Sequence, residues 1–336
     1  MSARAALLCL AAALSSACTR PSESVTGAAE LIRVTGSSCD ASALVGLPGG
    51  WLVGASDENN GAFSIAPTDR TGGTFPSRVA VDLSPFLQTE RNKRGEPKEA
   101  DLEAAARLGE TVYWIGSHGR DSGGDAEPSR QRLFATRWQV VQGKLELQPA
   151  GQPVTRLLEP MLRGDSDVAL ALRQASTRAH VDGGIDIEGL AATARGTLLI
   201  GFRSPLVGGR AIMVELLNPS EATLHGAEVR LGPPALVNLG GRGIRDMVAA
   251  SAADETLLLA GPPAKDGTWA LFRWRAGDAA ARAVDVAVPA GVVWEGLTLD
   301  PDTGDLWLAS DDGGTGPKCK DREPQERSFR LWRAAR

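Results

Sequence analysis

The chain has 336 residues, a formal net charge of −5 and a pI near 5.4, so it carries no basic field of the kind that holds nucleic acid. Hydrophobic residues make up 43%, enough for a sizeable core, and no segment is an apolar run long enough to span a membrane. The 39 glycines and 20 prolines punctuate the chain with turns, which favours many short strands over long helices.

Residues 1–17 read as an export signal rather than as fold. Arg4 is a short positive start, 5–14 is an apolar run of 10 residues, and Ser15, Ser16 and Ala17 are small. Cys18 follows, and the arrangement resembles a bacterial lipoprotein signal with Cys18 as the lipidated N-terminus, although Ser15 stands where that pattern carries Leu. Cleavage without lipidation is the alternative. Either reading expects an exported protein, a cell-envelope lipoprotein or a free periplasmic or secreted one. Residues 18–29 read as a polar tether and 30–336 as one domain.

A short strand is expected at 31–34, and self-similarity organises the rest of the chain. Five stretches share one grammar: 40–56, 101–117, 186–202, 245–261 and 294–310. An acidic residue opens a short apolar strand, a polar turn with Gly or Asp comes next, and a second strand rich in Leu, Val and Trp ends in small residues. Trp51, Trp114 and Trp307 recur at one position of the unit and read as core. A third strand is expected at 133–138, 271–274 and 329–332. Repeated antiparallel sheets of about four strands around an axis make a β-propeller. The expected fold is therefore all-β, a single propeller of five blades. Six is the alternative, because 84–100 (polar and charged) and 157–178 (helical spacing) read as insertions able to hide a further blade. The last unit stops at its third strand, so 31–34 is expected to complete that blade and close the ring. The same path puts Cys39 on the face of Cys319, where a disulfide is expected, with two unpaired thiols as the alternative.

The stretches 101–104, 114–120, 133–137, 187–191, 199–205, 240–246, 260–262 and 271–274 together resemble a bacterial family, domain of unknown function 3616, from about residue 40 to the C-terminus. The resemblance implies the fold and no activity. More loosely, the Glu-Gly-Leu strand starts at 188–190 and 295–297 are similar to those of phytase-like and lactonase-like propellers.

The first strand of each blade lines the channel, so the residue that opens it sits at the mouth. Glu103, Glu188, Asp246 and Glu295 take that place in four units, and Ser42, two residues after Asp40, in the fifth. Loops after the second strands reach the same face and bring His118, Arg120, Arg203 and Asp311; Arg242 and Arg245 join them. Converging carboxylates repel, and a cation, bound protons or the arginines must relieve that. The leading expectation is a binding module for a small ligand or an envelope protein. It is monomeric and touches a membrane only through a lipid anchor. Glu103, Asp246, Arg120, Arg242, Arg245 and Asp311 are the candidate binding residues. The alternative is a calcium-dependent hydrolase of phosphoesters or lactones. Glu103, Glu188, Asp246 and Glu295 would hold the metal, and Glu188, Glu295, His118 and Arg203 are the catalytic candidates. Glycoside hydrolysis by two of the carboxylates is a third reading. His180 and His225 lack acidic or His partners at ligand spacing and are set aside, and 300–305 reads as a hairpin turn rather than a calcium loop.

Overall fold

The computed structural model describes residues 29–70, 72–250, 254–264, 267–286, 288–313 and 319–335. The expected signal segment, Cys18 and all of the tether but Ala29 lie outside them. No helix among the described residues is long and apolar enough to cross a membrane.

Five sheets form a five-bladed propeller. A leading strand, β1 (Ala29–Thr35), precedes blade 1, which holds β2 (Ala43–Leu47), β3 (Trp51–Ala55), β4 (Gly61–Ile65) and, after an excursion through β5 (Thr74–Pro76), β6 (Arg78–Asp82). Blade 2 is β7 (Leu102–Leu108), β8 (Thr111–Gly116), β9 (Leu133–Val141) and β10 (Lys144–Val154). Blade 3 is β11 (Asp186–Ala192), β12 (Leu198–Ser204), β13 (Ala211–Leu216) and β14 (Ala235–Val237). Blade 4 is β15 (Gly243–Ala250), β16 (Glu255–Gly261), β17 (Ala270–Arg275) and β18 (Arg282–Ala283). Blade 5 runs β19 (Val293–Leu299), β20 (Leu306–Asp311) and β21 (Ser328–Ala334).

The ring closes as the strand count requires. β1 pairs antiparallel with β21, placing Leu31 opposite Trp332 and Val34 opposite Phe329. Beyond the expected four strands, β5 adds a parallel fifth, with Arg33 opposite Thr74, so blade 1 also contributes to blade 5 and covers its edge. A disulfide joins Cys39 to Cys319 across the same seam, with Cα atoms 5.7 Å apart.

The core lies between blades rather than in one centre. Trp51, Val53, Val112 and Trp114 pack blade 1 on blade 2, and Ile115, Leu133, Ile187 and Ile200 pack blade 2 on blade 3. Ile32, Leu44, Trp307 and Phe329 seal the closing seam. Residues 84–101 carry only the short helix α1 (Ser84–Leu87), and 157–178 carry α2 (Leu158–Met161) and α3 (Asp167–Ala175). Ser166 caps α3 by accepting from the Ala169 N–H at 3.2 Å, and Val168 and Leu172 bury the helix on blades 2 and 3. A further short helix, α4 (Pro219–His225), sits between β13 and β14. On the face away from the acidic mouth, 300–305 is a hairpin turn closed by the Asp300 N–H to the Asp305 carbonyl at 2.9 Å. There Asp302 Oδ2 accepts the Gly49 and Gly50 N–H groups at 2.7 and 3.0 Å.

The Glu-Gly step of the repeat has a packing reason. A Cβ on Gly296 would lie 2.8 Å from the Ala41 carbonyl oxygen, and one on Gly189 would lie 2.7 Å from Ile244 Cγ2. Each glycine lets the neighbouring blade approach. Gly296→Ala meets backbone, which cannot step aside, and is expected to cost about 1 to 3 kcal/mol. Gly189→Ala meets side chains that repack and should cost less. Urea denaturation of the two variants checks the order.

Candidate functional site at the channel mouth

The inner two strands slip register at one recurring place. The pairing skips Glu103 in blade 2, Glu188 in blade 3, Arg245 in blade 4 and Glu295 in blade 5. A residue in a β-bulge is released from the ladder and its side chain is re-aimed. In blade 1 the pairing of β2 with β3 is continuous, and Ser42 stands just before it.

That register corrects one expected site residue. Asp246 is not at the mouth, because the bulge puts Arg245 in the blade 4 place. Asp246 is fully buried, with Oδ2 accepting the Leu297 N–H at 2.6 Å and Oδ1 the Met247 N–H at 2.7 Å. It ties blade 4 to blade 5 and offers no metal ligand.

The mouth gathers more carboxylates than the repeat alone suggests. Asp57 comes from the loop after β3, and Asp101 and Asp186 stand two residues before Glu103 and Glu188. Carboxylate oxygens of Asp57, Asp101 and Glu103 lie within 4.8 Å of one another, and so do those of Glu103, Asp186 and Glu188. Glu103 belongs to both groups and is the geometric centre of the arrangement.

Arginines neutralise only part of it. Arg203 Nη1 lies 2.8 Å from Glu188 Oε1 and 3.3 Å from Asp186 Oδ2. Arg245 bridges blades, with Nε 3.0 Å from Glu188 Oε2 and Nη2 on Glu295. Arg130 Nη1 lies 3.0 Å from Asp101 Oδ2, which also accepts the Ser117 hydroxyl. Ser42 donates to Glu295 at 3.2 Å. Among the described residues Glu103 and Asp57 have no ion pair. Burial first, and then neighbouring carboxylates, push both carboxyls well above the usual carboxylate range. Burial raises Asp186 likewise, with Glu188 adding to it and Arg203 opposing. Burial carries Glu295 up to about 7 against the pull of Arg245.

Other expected members lie elsewhere. Arg120 donates to the Ser176 and Gly124 carbonyls at 2.6 and 2.9 Å, and so anchors the segment after α3. Arg242 donates to Thr268 and to the Leu239 carbonyl, and among the described residues it takes no carboxylate. His118 is buried with Nδ1 2.8 Å from the Gly116 carbonyl oxygen, so that nitrogen carries the proton. Burial drops its pKa to about 4, and the charge acting on it is Arg132 rather than a carboxylate of the mouth. The histidine that bears on the ring is His180, whose charge acts on Asp101. It begins the short turn His180–Asp182, between the second insertion and β11, and no local spacing announces it.

Residues 139–293 match the model of a family described as a protein of unknown function, DUF3616. The resemblance read from the sequence holds over that stretch. It takes in Asp186, Glu188, Arg203 and Arg245 and stops short of Glu295. No curated protein matches the chain. Among solved structures, the chain is similar to Myxococcus xanthus glutaminyl cyclase at 10% identity, over 92% of this chain and 97% of that one, with a TM-score of 0.46. It is similar to the PQQ-bound aldose sugar dehydrogenase of Streptomyces coelicolor at 13% identity, over 92% and 99%, with a TM-score of 0.41. Pseudomonas fluorescens PhoX in complex with vanadate is similar at 11% identity, over 91% and 74%, with a TM-score of 0.40.

Proposed function

We propose that this propeller is an exported ligand-binding module whose channel mouth takes a hard divalent cation, with calcium the best match, at Glu103. The observation that supports it most is the uneven neutralisation of the ring. Glu188, Asp186, Asp101 and Glu295 each have an arginine, whereas Glu103 sits between two carboxylate groups with none. A cation of that class takes six to eight oxygen ligands at about 2.3 to 2.6 Å, and flexible carboxylates from separate blades satisfy it. Asp57, Asp101, Glu103, Asp186 and Glu188 are the candidate ligands. Glu103 and Asp57 keep partial exposure, so a metal between them would present free coordination positions to an anionic or carbonyl-bearing ligand in the channel. Arg203 and Arg245 would hold the ring in shape rather than bind that ligand, since both are already spent on carboxylates. Export fits the Cys39–Cys319 bond, which persists in an oxidising compartment.

Calcium titration by calorimetry tests the reading. The native protein should bind calcium at the mouth, and Glu103→Gln should weaken that binding at least about tenfold while keeping the native circular dichroism. Undiminished binding in the variant defeats the proposal. Calcium-dependent turnover of a generic phosphoester or lactone by the native protein, lost in Glu103→Gln, would extend binding to hydrolysis.

A further inference from the structure

A second group of carboxylates adjoins the Glu103 cluster at the seam where the ring closes, with Asp40 acting on Asp57. Asp40 follows Cys39 and forms an isolated bridge with Asp311 at the end of β20. Glu58 reaches it from the loop after β3. A methyl group built on Gly313 would lie 3.3 Å from Asp311 Oδ1, 3.4 Å from Asp40 Oδ2 and 3.7 Å from Glu58 Oε1. Three carboxylates from three segments therefore gather around Gly313, spread more widely than the two groups that share Glu103.

The independent observation is Asp40 itself. It is only 1% exposed, and among the described residues its oxygens have no hydrogen-bond partner of full geometry, the Ser56 hydroxyl being the one donor that acts on it. Glu58 Oε2 is buried in the same condition. Among the described residues, the groups acting on Asp40 are the Ser56 hydroxyl and the carboxylates of Asp311, Glu295 and Glu58, none of them a cation. The nearby Arg330 is taken by Asp312, whose Oδ2 it meets at 2.9 Å. A buried carboxylate without hydrogen bonds is costly, and like charges beside it add to the cost. A metal ion removes both penalties at once.

We propose that Asp40, Glu58 and Asp311 form a second hard-cation site, a calcium clasp that ties the start of blade 1 and its β3–β4 loop to the end of β20 beside the Cys39–Cys319 bond. The set is all oxygen, drawn from a strand end and two loops that can adjust, which suits calcium over a thiophilic metal. The clasp adjoins the site at Glu103 but is built from different residues and does not rest on that reading.

Calorimetric titration of the native protein with calcium, beside Asp40→Asn, Glu58→Gln and Glu103→Gln, tests this. The native protein should take up two calcium ions. Asp40→Asn and Glu58→Gln should each lose one of them, and Glu103→Gln should lose the other. Glu58 is only partly buried, so its variant keeps the test open if Asp40→Asn fails to fold. Uptake of one ion that Glu103→Gln abolishes and Glu58→Gln leaves intact overturns the clasp and leaves the mouth standing. Uptake of one ion lost in Glu58→Gln alone supports the clasp and overturns the mouth. No uptake overturns both.

Discussion

Cys39→Ser and Cys319→Ser should each lower the unfolding free energy by about 2 to 5 kcal/mol, and the double variant by no more than either alone. The bond links residues 280 apart in sequence, so it restrains nearly the whole domain in its unfolded state. In the chain-entropy account a loop of that length is worth about 5.6 kcal/mol, with native strain subtracting from it. The fold does not depend on the bond alone. β1 and β21 pair along the full length of both strands, from Ala29 opposite Ala334 to Thr35 opposite Ser328, and Ile32, Val34, Phe75 and Phe329 are buried at that seam. The variants should therefore fold but unfold at lower urea, with the native protein in reductant falling to the same midpoint. Variants that differ from one another would mean that a buried thiol contact, not the cross-link, carries the effect.

The parts that the chain spells out are those that repeat. Register, blade count and seam arise from a unit used five times, because each blade must bury both faces of its sheet against neighbours and so keeps the same small and large residues at the same places. The closing strand and the Cys39–Cys319 bond arise from a missing fourth strand. The site is legible where the unit is regular, at Glu103, Glu188 and Glu295, and misleading where it departs. Asp246 is acidic and stands beside the right position, but the bulge at Arg245 shifts the inner strand by one residue, and a one-residue shift reverses which side chain faces the channel. His180 escapes a reading based on the repeat because it lies between units, just past the second insertion. Asp40 and Glu58 are visible as residues, but their burial with so few partners among the described residues is a property of the folded seam.

The ring's charge should make stability fall as pH rises when divalent cations are removed. Glu295 has a folded pKa of about 7 against 4.5 when exposed, so the folded state holds its proton longer than the unfolded one. Its contribution is fully present below about pH 4.5 and is lost as pH climbs through about 7, on the order of 3 kcal/mol for such a shift. Asp40, Asp57, Glu103 and Asp186 are raised well above their usual range by burial and act in the same direction. His118 opposes them. Its pKa drops from 6.5 to about 4, so the unfolded state binds the extra proton and stability rises with pH across that window. Above about pH 6.5 His118 is neutral in both states, and only the carboxylates still change. Asp300 sets the acid limb: it is held low, despite burial, by the Asp302 N–H and Arg70, and its contribution disappears as pH falls through its depressed folded pKa. In chelator, urea midpoints should therefore fall as pH rises from about 4.5 through about 7, with the fall partly masked by His118 until about pH 6.5. Calcium should flatten that drop, because a bound cation replaces the protons that the ring otherwise needs. Midpoints that stay level in chelator would mean that Arg130, Arg203 and Arg245 already suffice. In that case the mouth has little charge left for a metal to neutralise.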